Sequence, residues 1–204
     1  MMLDIKLMAH PSRKSHVLYL LNELQLPESA VAWDDRPQGG DAMYTARKAW
    51  SLPLVENCAH RLVLQDDVLL CDDFISIVER ISQAHPNYAI SLINFNKEIP
   101  PNYDAPYHWV TYLPGCAIML PRQVISSFLN WTPTKEKWLP HDDWCITDFC
   151  SHNRIQMICT KPSIVQHLDG KSLLPYEYDW KRMATDFEQS PRANWESKKI
   201  GRII

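Results

Sequence analysis

The residues best suited to chemistry are aspartates in adjacent pairs. Asp66-Asp67 directly follows the apolar run at 61–65, and Asp72-Asp73 closes the same eight-residue stretch, so four carboxylates crowd around one expected strand end. Two adjacent carboxylates offer hard oxygen ligands at close quarters, which suits Mg2+ or Mn2+ bound jointly by protein and substrate phosphates. The same dipeptide also suits a plain acidic turn. A second pair, Asp142-Asp143, stands between His141 and Trp144 where a helix is expected to begin. Carboxylates there stabilise the helix dipole and cap orphan amides.

These pairs need elements to hold them. Residues 3–9 alternate as a strand does, and Ser12 precedes a helical pattern of Val17, Leu18, Leu20, Leu21 and Leu24. A second strand is expected at 30–33, a helix at 42–55 with Ala46, Ala49 and Trp50 on one face, and a strand at 61–65. Asp72 or Asp73 can cap a helix carrying Phe74, Ile77, Val78 and Ile81, and a strand follows at 88–93. Further strands are expected at 108–112, 116–120 and 155–159, with a last apolar segment at 162–167. Pro121 suits the first turn of a helix carrying Ile125, Phe128 and Leu129, and another helix is expected at 145–150. This alternation predicts an α/β fold with an open, mixed, mostly parallel sheet and helices on both faces. Ligands in such folds collect beyond the carboxyl ends of the strands, where Asp66 and Asp67 fall.

The 204 residues suffice for one α/β core, and 46% hydrophobic with 22% charged residues is ordinary for a globular chain. Eight Trp and fifteen Pro suggest long, ordered loops whose aromatics are buried or used in binding. No apolar stretch approaches the ~20 residues of a membrane span, and the first residues lack a signal-peptide layout, so the expected compartment is cytoplasmic. Six cysteines, Cys58, Cys71, Cys116, Cys145, Cys150 and Cys159, include no CxxC pair and read as buried free thiols. A net charge of −3 and pI near 6.2 exert no overall pull toward nucleic acid or anionic membrane. The stretch 181–204 is nonetheless positive by three, which suits either a solvated surface or an acceptor contact. The sequence carries no internal repeat and no low-complexity linker.

The run Leu62-Val63-Leu64-Gln65-Asp66-Asp67-Val68, with Asp73-Phe74 just after it, resembles the metal-binding DxD-type signature of GT-A glycosyltransferases. It is similar to the EDD form in N-acetylglucosaminyltransferase I-like and lipopolysaccharide-type transferases, with Gln65 in place of the leading acid. The resemblance implies a GT-A (Rossmann-like) catalytic domain over 1–172 and an extension, 173–204, packing on or near the active site. It implies transfer of a sugar from a nucleotide-sugar, with UDP the expected nucleotide, and an enzyme of the EC 2.4 class. Asp67 would be the ligand of Mn2+ or Mg2+, and Asp66 would meet the donor ribose or support the metal.

Other segments extend the resemblance. Tyr44-Thr45-Ala46-Arg47-Lys48-Ala49-Trp50 resembles the helix before this motif, which implies Arg47 near the nucleotide. His10-Pro11-Ser12-Arg13 resembles the segment opening the nucleotide pocket, with Arg13 toward phosphate or base; it also reads as a surface Arg in a first helical turn. Asp34 or Asp35 could accept a hydrogen bond from uracil. His141-Asp142-Asp143-Trp144 is similar to the acidic helix start that supplies the base in inverting members. An acceptor hydroxyl is a poor nucleophile until its proton is taken, and Asp143 would take it, with Asp142 the alternative. Tyr112-Leu113-Pro114-Gly115-Cys116-Ala117 resembles the Pro-Gly turn near the donor sugar, where Gly115 admits close approach; a hairpin turn is the other reading. Lys161-Pro162-Ser163-Ile164-Val165-Gln166-His167, then Gly170-Lys171-Ser172, is similar to the Pro-Ser-x-Val-x-His ending of such enzymes. It implies His167 as a metal ligand, and Lys171 and Ser172 as partners of the leaving diphosphate.

The acceptors consistent with this reading are a surface glycan, a protein, or a hydroxymethylated base in viral DNA, for which the basic final stretch would contact phosphates. Two other functions fit part of the pattern. One is a nucleotide-sugar-binding module without turnover. The other is a metal phosphohydrolase built on His141-Asp142, which needs several histidines on long helices where 61–65 and 155–159 read as strands.

Overall fold

The computed structural model describes residues 3–36, 42–95, 106–132, 141–168, 173, 183–184 and 186–191. Strand β1 (Asp4–Ala9) leads through a 3-10 turn into α1 (Lys14–Glu23), then β2 (Val31–Trp33) and α2 (Ala42–Ser51). Next come β3 (His60–Gln65), β4 (Val68–Leu70), α3 (Phe74–Ala84), β5 (Ala89–Ser91), β6 (Tyr107–Trp109) and β7 (Ala117–Pro121). The order closes with α4 (Ile125–Trp131), α5 (Asp142–His152), β8 (Met157–Thr160) and β9 (Val165–His167).

Seven strands form one mixed sheet in the order β2-β1-β3-β7-β5-β8-β6, and β4 pairs with β9 in a small second sheet. The pairings β1–β2, β1–β3 and β5–β8 are parallel; β3–β7, β5–β7 and β6–β8 are antiparallel. The sheet is therefore only partly parallel, which corrects the expectation of a mostly parallel one. The cause is β7, which runs backward through the middle and makes both of its pairings antiparallel. Apolar runs record burial but not direction.

Alternation along the central strands feeds two cores. Ile5, Leu7, Leu62, Leu64, Ala117 and Met119 face α1 and α3, whereas Met8, Val63, Ile118 and Leu120 face α2, α4 and α5. Phe74, Ile77, Val78 and Ile81 are buried at the expected helical spacing, but Leu18 of α1 is exposed. On the other face Trp50, Phe128 and Phe149 meet edge to face at 5.8 and 5.3 Å, tying α2, α4 and α5 together. All six cysteines are buried and free. No helix among the described residues is long and apolar enough to cross a membrane.

Several boundaries move for physical reasons. Helix α2 ends at Ser51 rather than 55 because Pro53 cannot continue it, and Arg61 takes the carbonyls of Trp50 and Pro53 at 2.6 and 2.9 Å. Asp73 does precede α3, but with φ 56° and no capping bond from its side chain; Asp72 instead accepts from Gln189 and Ser190. Helix α5 starts at Asp142, three residues early, so both aspartates lie in its first turn. Pro114-Gly115 is no hairpin turn, since β6 pairs with β8 while β7 pairs with β3 and β5.

Candidate active site

The reversal of β7 brings its start to the carboxyl edge of β3, with Ala117 opposite Leu64. Two acidic pairs meet around that junction. Asp66 and Asp67 form the two-residue connection from β3 to β4, and β9 pairs with β4 so that His167 lies opposite Val68. This places His167 Nε2 3.2 Å from Asp67 Oδ2, although His167 Nε2 is buried and makes no hydrogen bond. Described residues of the C-terminal extension pack behind the same small sheet: the Ala184 amide donates to Gln166 and the Asp72 amide donates to the Gln189 carbonyl.

Arg13, at the end of the turn after β1, sets Nη1 2.8 Å from Asp66 Oδ1 and 2.8 Å from Asp67 Oδ2. Asp66 Oδ2 accepts the His10 amide at 2.6 Å. Burial raises the Asp66 pKa, outweighing the His10 amide and Arg13, which favour its charged form. Burial also disfavours the Arg13 charge, yet Asp67 and Asp66 outweigh it and raise the guanidinium pKa.

The second acidic pair is wired to the first through Gln65, whose amide donates to the Cys116 carbonyl at 2.7 Å and whose side chain hydrogen-bonds Asp142. Asp143 accepts the Tyr112 hydroxyl on Oδ2, the Trp144 amide on Oδ1 at 2.8 Å, and the Gly115 amide. Trp144, 48% exposed, hydrogen-bonds the Tyr112 oxygen, so its indole is pinned while it faces solvent. Burial pushes both carboxyls up, and for Asp142 the neighbouring Asp143 charge adds to it. The Tyr112 phenol is raised as well, by burial and then by Asp143. A Cβ at Gly115 would stand in ordinary contact, 3.4 Å from Asp143 Oδ2 and 3.5 Å from Gln65 Nε2, so this residue lies between the two pairs. The next residue, Cys116, takes φ 70°, a left-handed conformation that turns the chain into β7.

At the end of β2, Asp34 is held by Arg36 through contacts of 3.0, 3.1 and 2.9 Å. Burial raises the Asp34 pKa, but the Arg36 bonds prevail and lower it. Arg36 lies 4.0 Å over the Tyr44 ring, and Tyr44 and Lys48 both donate to Asp35. Arg47 is exposed on α2; it is Lys48, one residue on and a helical turn after Tyr44, that reaches Asp35 and the Trp33 carbonyl. The edge thus gathers Arg13, Asp34, Asp35, Asp66, Asp67, Gly115, Asp142, Asp143 and His167. Lys171 and Ser172 lie outside the described residues.

Sequence reasoning missed Tyr112, Arg36 and Lys48. Lys48 had a signal in its four-residue spacing from Tyr44, but Tyr112 meets Asp143 only through the fold. A cavity of about 580 Å3 opens at the opposite, amino edge, lined by Leu3, Ile5, Lys6, Glu23 and Glu79. The aspartate pairs of the carboxyl edge do not reach it.

The Asp67–His167 pair fits a divalent cation. Neighbouring ligands of an octahedral ion at about 2.1 Å lie about 3 Å apart, close to the 3.2 Å between Asp67 Oδ2 and His167 Nε2. Carboxylate oxygen and imidazole nitrogen together suit Mn2+. No group of three or more His, Cys, Asp or Glu able to hold a metal occurs among the described residues. The sequence matches no protein-family model and no curated protein.

Proposed function

We propose that the chain is a metal-dependent glycosyltransferase of the GT-A kind, moving a sugar from a nucleotide-sugar, UDP-linked by expectation, to an acceptor hydroxyl. The observation that carries this reading is the joining of a carboxylate–imidazole pair, Asp67 and His167, to a buried acid pair, Asp142 and Asp143, through Gln65 and Gly115 at one sheet edge.

Asp67 and His167 would hold Mn2+ or Mg2+, which supplies charge neutralisation for the departing diphosphate. Asp34 or Asp35, beside the Arg36–Tyr44 stack, would accept a hydrogen bond from the uracil ring, and Asp66 would meet the donor ribose. The acceptor oxygen forms its bond to the anomeric carbon as the bond from that carbon to the diphosphate oxygen breaks. The bonding pair leaves with the nucleoside diphosphate, and the acceptor proton passes to Asp143. Tyr112 and the Gly115 and Trp144 amides fix that carboxylate while leaving further lone pairs available. A single displacement of this kind inverts the anomeric centre. The acceptor is a glycan, a protein or a modified DNA base.

A donor screen by thermal shift with Mn2+ tests the reading, because a bound nucleotide-sugar stabilises the fold by mass action. At least one nucleotide-sugar is expected to raise the melting temperature in a Mn2+-dependent way. Asp67→Ala should abolish that dependence together with transfer and donor hydrolysis; unchanged activity would remove the metal assignment.

A further inference from the structure

We propose that Arg13 is a displaceable internal cation that couples metal binding to diphosphate binding. In the unliganded chain it occupies the Asp66–Asp67 pair, and an arriving nucleoside diphosphate draws it away, freeing Asp67 to bind the metal. The inference rests on the reading of Asp67 and His167 as metal ligands.

One guanidinium nitrogen serves both carboxylates at 2.8 Å, and the Asp67 oxygen it contacts is the one that faces His167. A divalent ion on that oxygen would meet the guanidinium charge at close range, so ion and Arg13 compete for one acceptor. The Arg13 side chain is 24% exposed, whereas those of Asp66 and Asp67 are 6% and 9%. The partner able to leave is therefore the arginine. It starts from the short turn after β1, at the edge where phosphate would arrive, and its planar fork matches phosphate oxygens as well as carboxylates. Asp66 keeps the His10 amide when Arg13 departs, so the carboxylate that binds no metal is not left bare. Metal alone must evict Arg13 without offering it a new anion; metal with diphosphate supplies one.

Mn2+ uptake by the full chain, followed by electron paramagnetic resonance of free Mn2+ with and without UDP, tests this. In the wild type, UDP is expected to raise Mn2+ affinity by about 5- to 150-fold, the usual span of two-site coupling. Arg13→Gln should bind Mn2+ alone roughly fivefold or more tightly and show a UDP effect reduced to match. Arg13→Lys, charged but unable to fork, should fall between the two and serves if the Gln variant does not fold. Asp67→Asn should lose Mn2+ in either background. Equal or weaker binding of Mn2+ alone by the Arg13 variants, in a chain whose wild type does bind it, overturns the coupling. A wild type that takes up no Mn2+ with or without UDP removes the metal site itself, and the coupling with it.

Discussion

Arg61 and Arg13 both face aspartates of the β1–β3 region, at opposite edges of the same parallel pair. Arg61, at the start of β3, places Nε 2.7 Å from Asp4 Oδ2 and spends its other nitrogens on the Trp50 and Pro53 carbonyls, with no exposure at all. Arg13 is partly exposed and spans two carboxylates, one of which also faces a histidine nitrogen without a hydrogen bond. The first arrangement is closed: every partner belongs to the fold, and it clips the end of α2 to the sheet. The second is open, with more acidic charge than its arginine neutralises. A buried arginine–aspartate pair thus marks structure where the donors are used up and a site where acceptors outnumber them.

The largest effect should come from breaking the closed pair. Arg61→Met leaves Asp4 with Lys6, at 3.0 Å, as its remaining cation and removes the donors to the Trp50 and Pro53 carbonyls, so it should cost up to about 3–5 kcal/mol of unfolding free energy, read as a lower urea midpoint. Adding Asp4→Leu should recover only part of that loss, because it removes the buried carboxylate but leaves Lys6, 3.0 Å from it in the wild type, without a partner. At the open edge Asp143→Asn should lower the transfer rate by about 10²–10⁴-fold, the usual contribution of a general base.

The pH dependence distinguishes the edges further. Asp142 binds its proton more tightly in the folded chain, with its pKa pushed up to about 7. Its contribution to stability is therefore present below its ordinary value near 3.8 and is lost as pH rises through about 7. Asp142→Asn should be more stable than the wild type above pH 7 in thermal melts, with the advantage gone below pH 4. His60, buried near the amino edge against Ser82 and the Tyr88 carbonyl, has the opposite sign. Burial lowers its pKa to about 4, so its contribution holds above its ordinary 6.5 and is lost as pH falls through about 4. The smallest effect belongs to Lys48→Ala, which removes the contacts to Asp35 and to the Trp33 carbonyl and should leave the melting temperature nearly unchanged while weakening nucleotide binding measured by calorimetry.

The legible part of this molecule was what neighbouring residues decide. The apolar run of β3 stops at Asp66, the α3 stripe repeats every three or four residues, and Asp142-Asp143 opens a helix; each is written within one short window. The reversal of β7 was not legible, because an apolar strand looks the same read in either direction and its neighbours are chosen across the sheet. The site inherits that limit. Asp66-Asp67 stood out locally, but the Tyr112–Asp143 bond, the Gln65 bridge and the turn of Lys48 rather than Arg47 toward Asp35 depend on packing between distant segments. His167 was reached through a family resemblance, and its nearness to Asp67 follows from strand pairing across about a hundred residues.

That long pairing has a consequence for synthesis. The seven-stranded sheet has all its strands once β8 ends at Thr160, whereas β9 emerges later and must return to a strand made long before. A nascent chain stopped between the two has every strand of the large sheet but lacks Ile164 and Val165 of the α1–α3 core as well as the imidazole opposite β4. The last described strand thus completes the Asp67–His167 contact only after almost the whole described fold has left the ribosome.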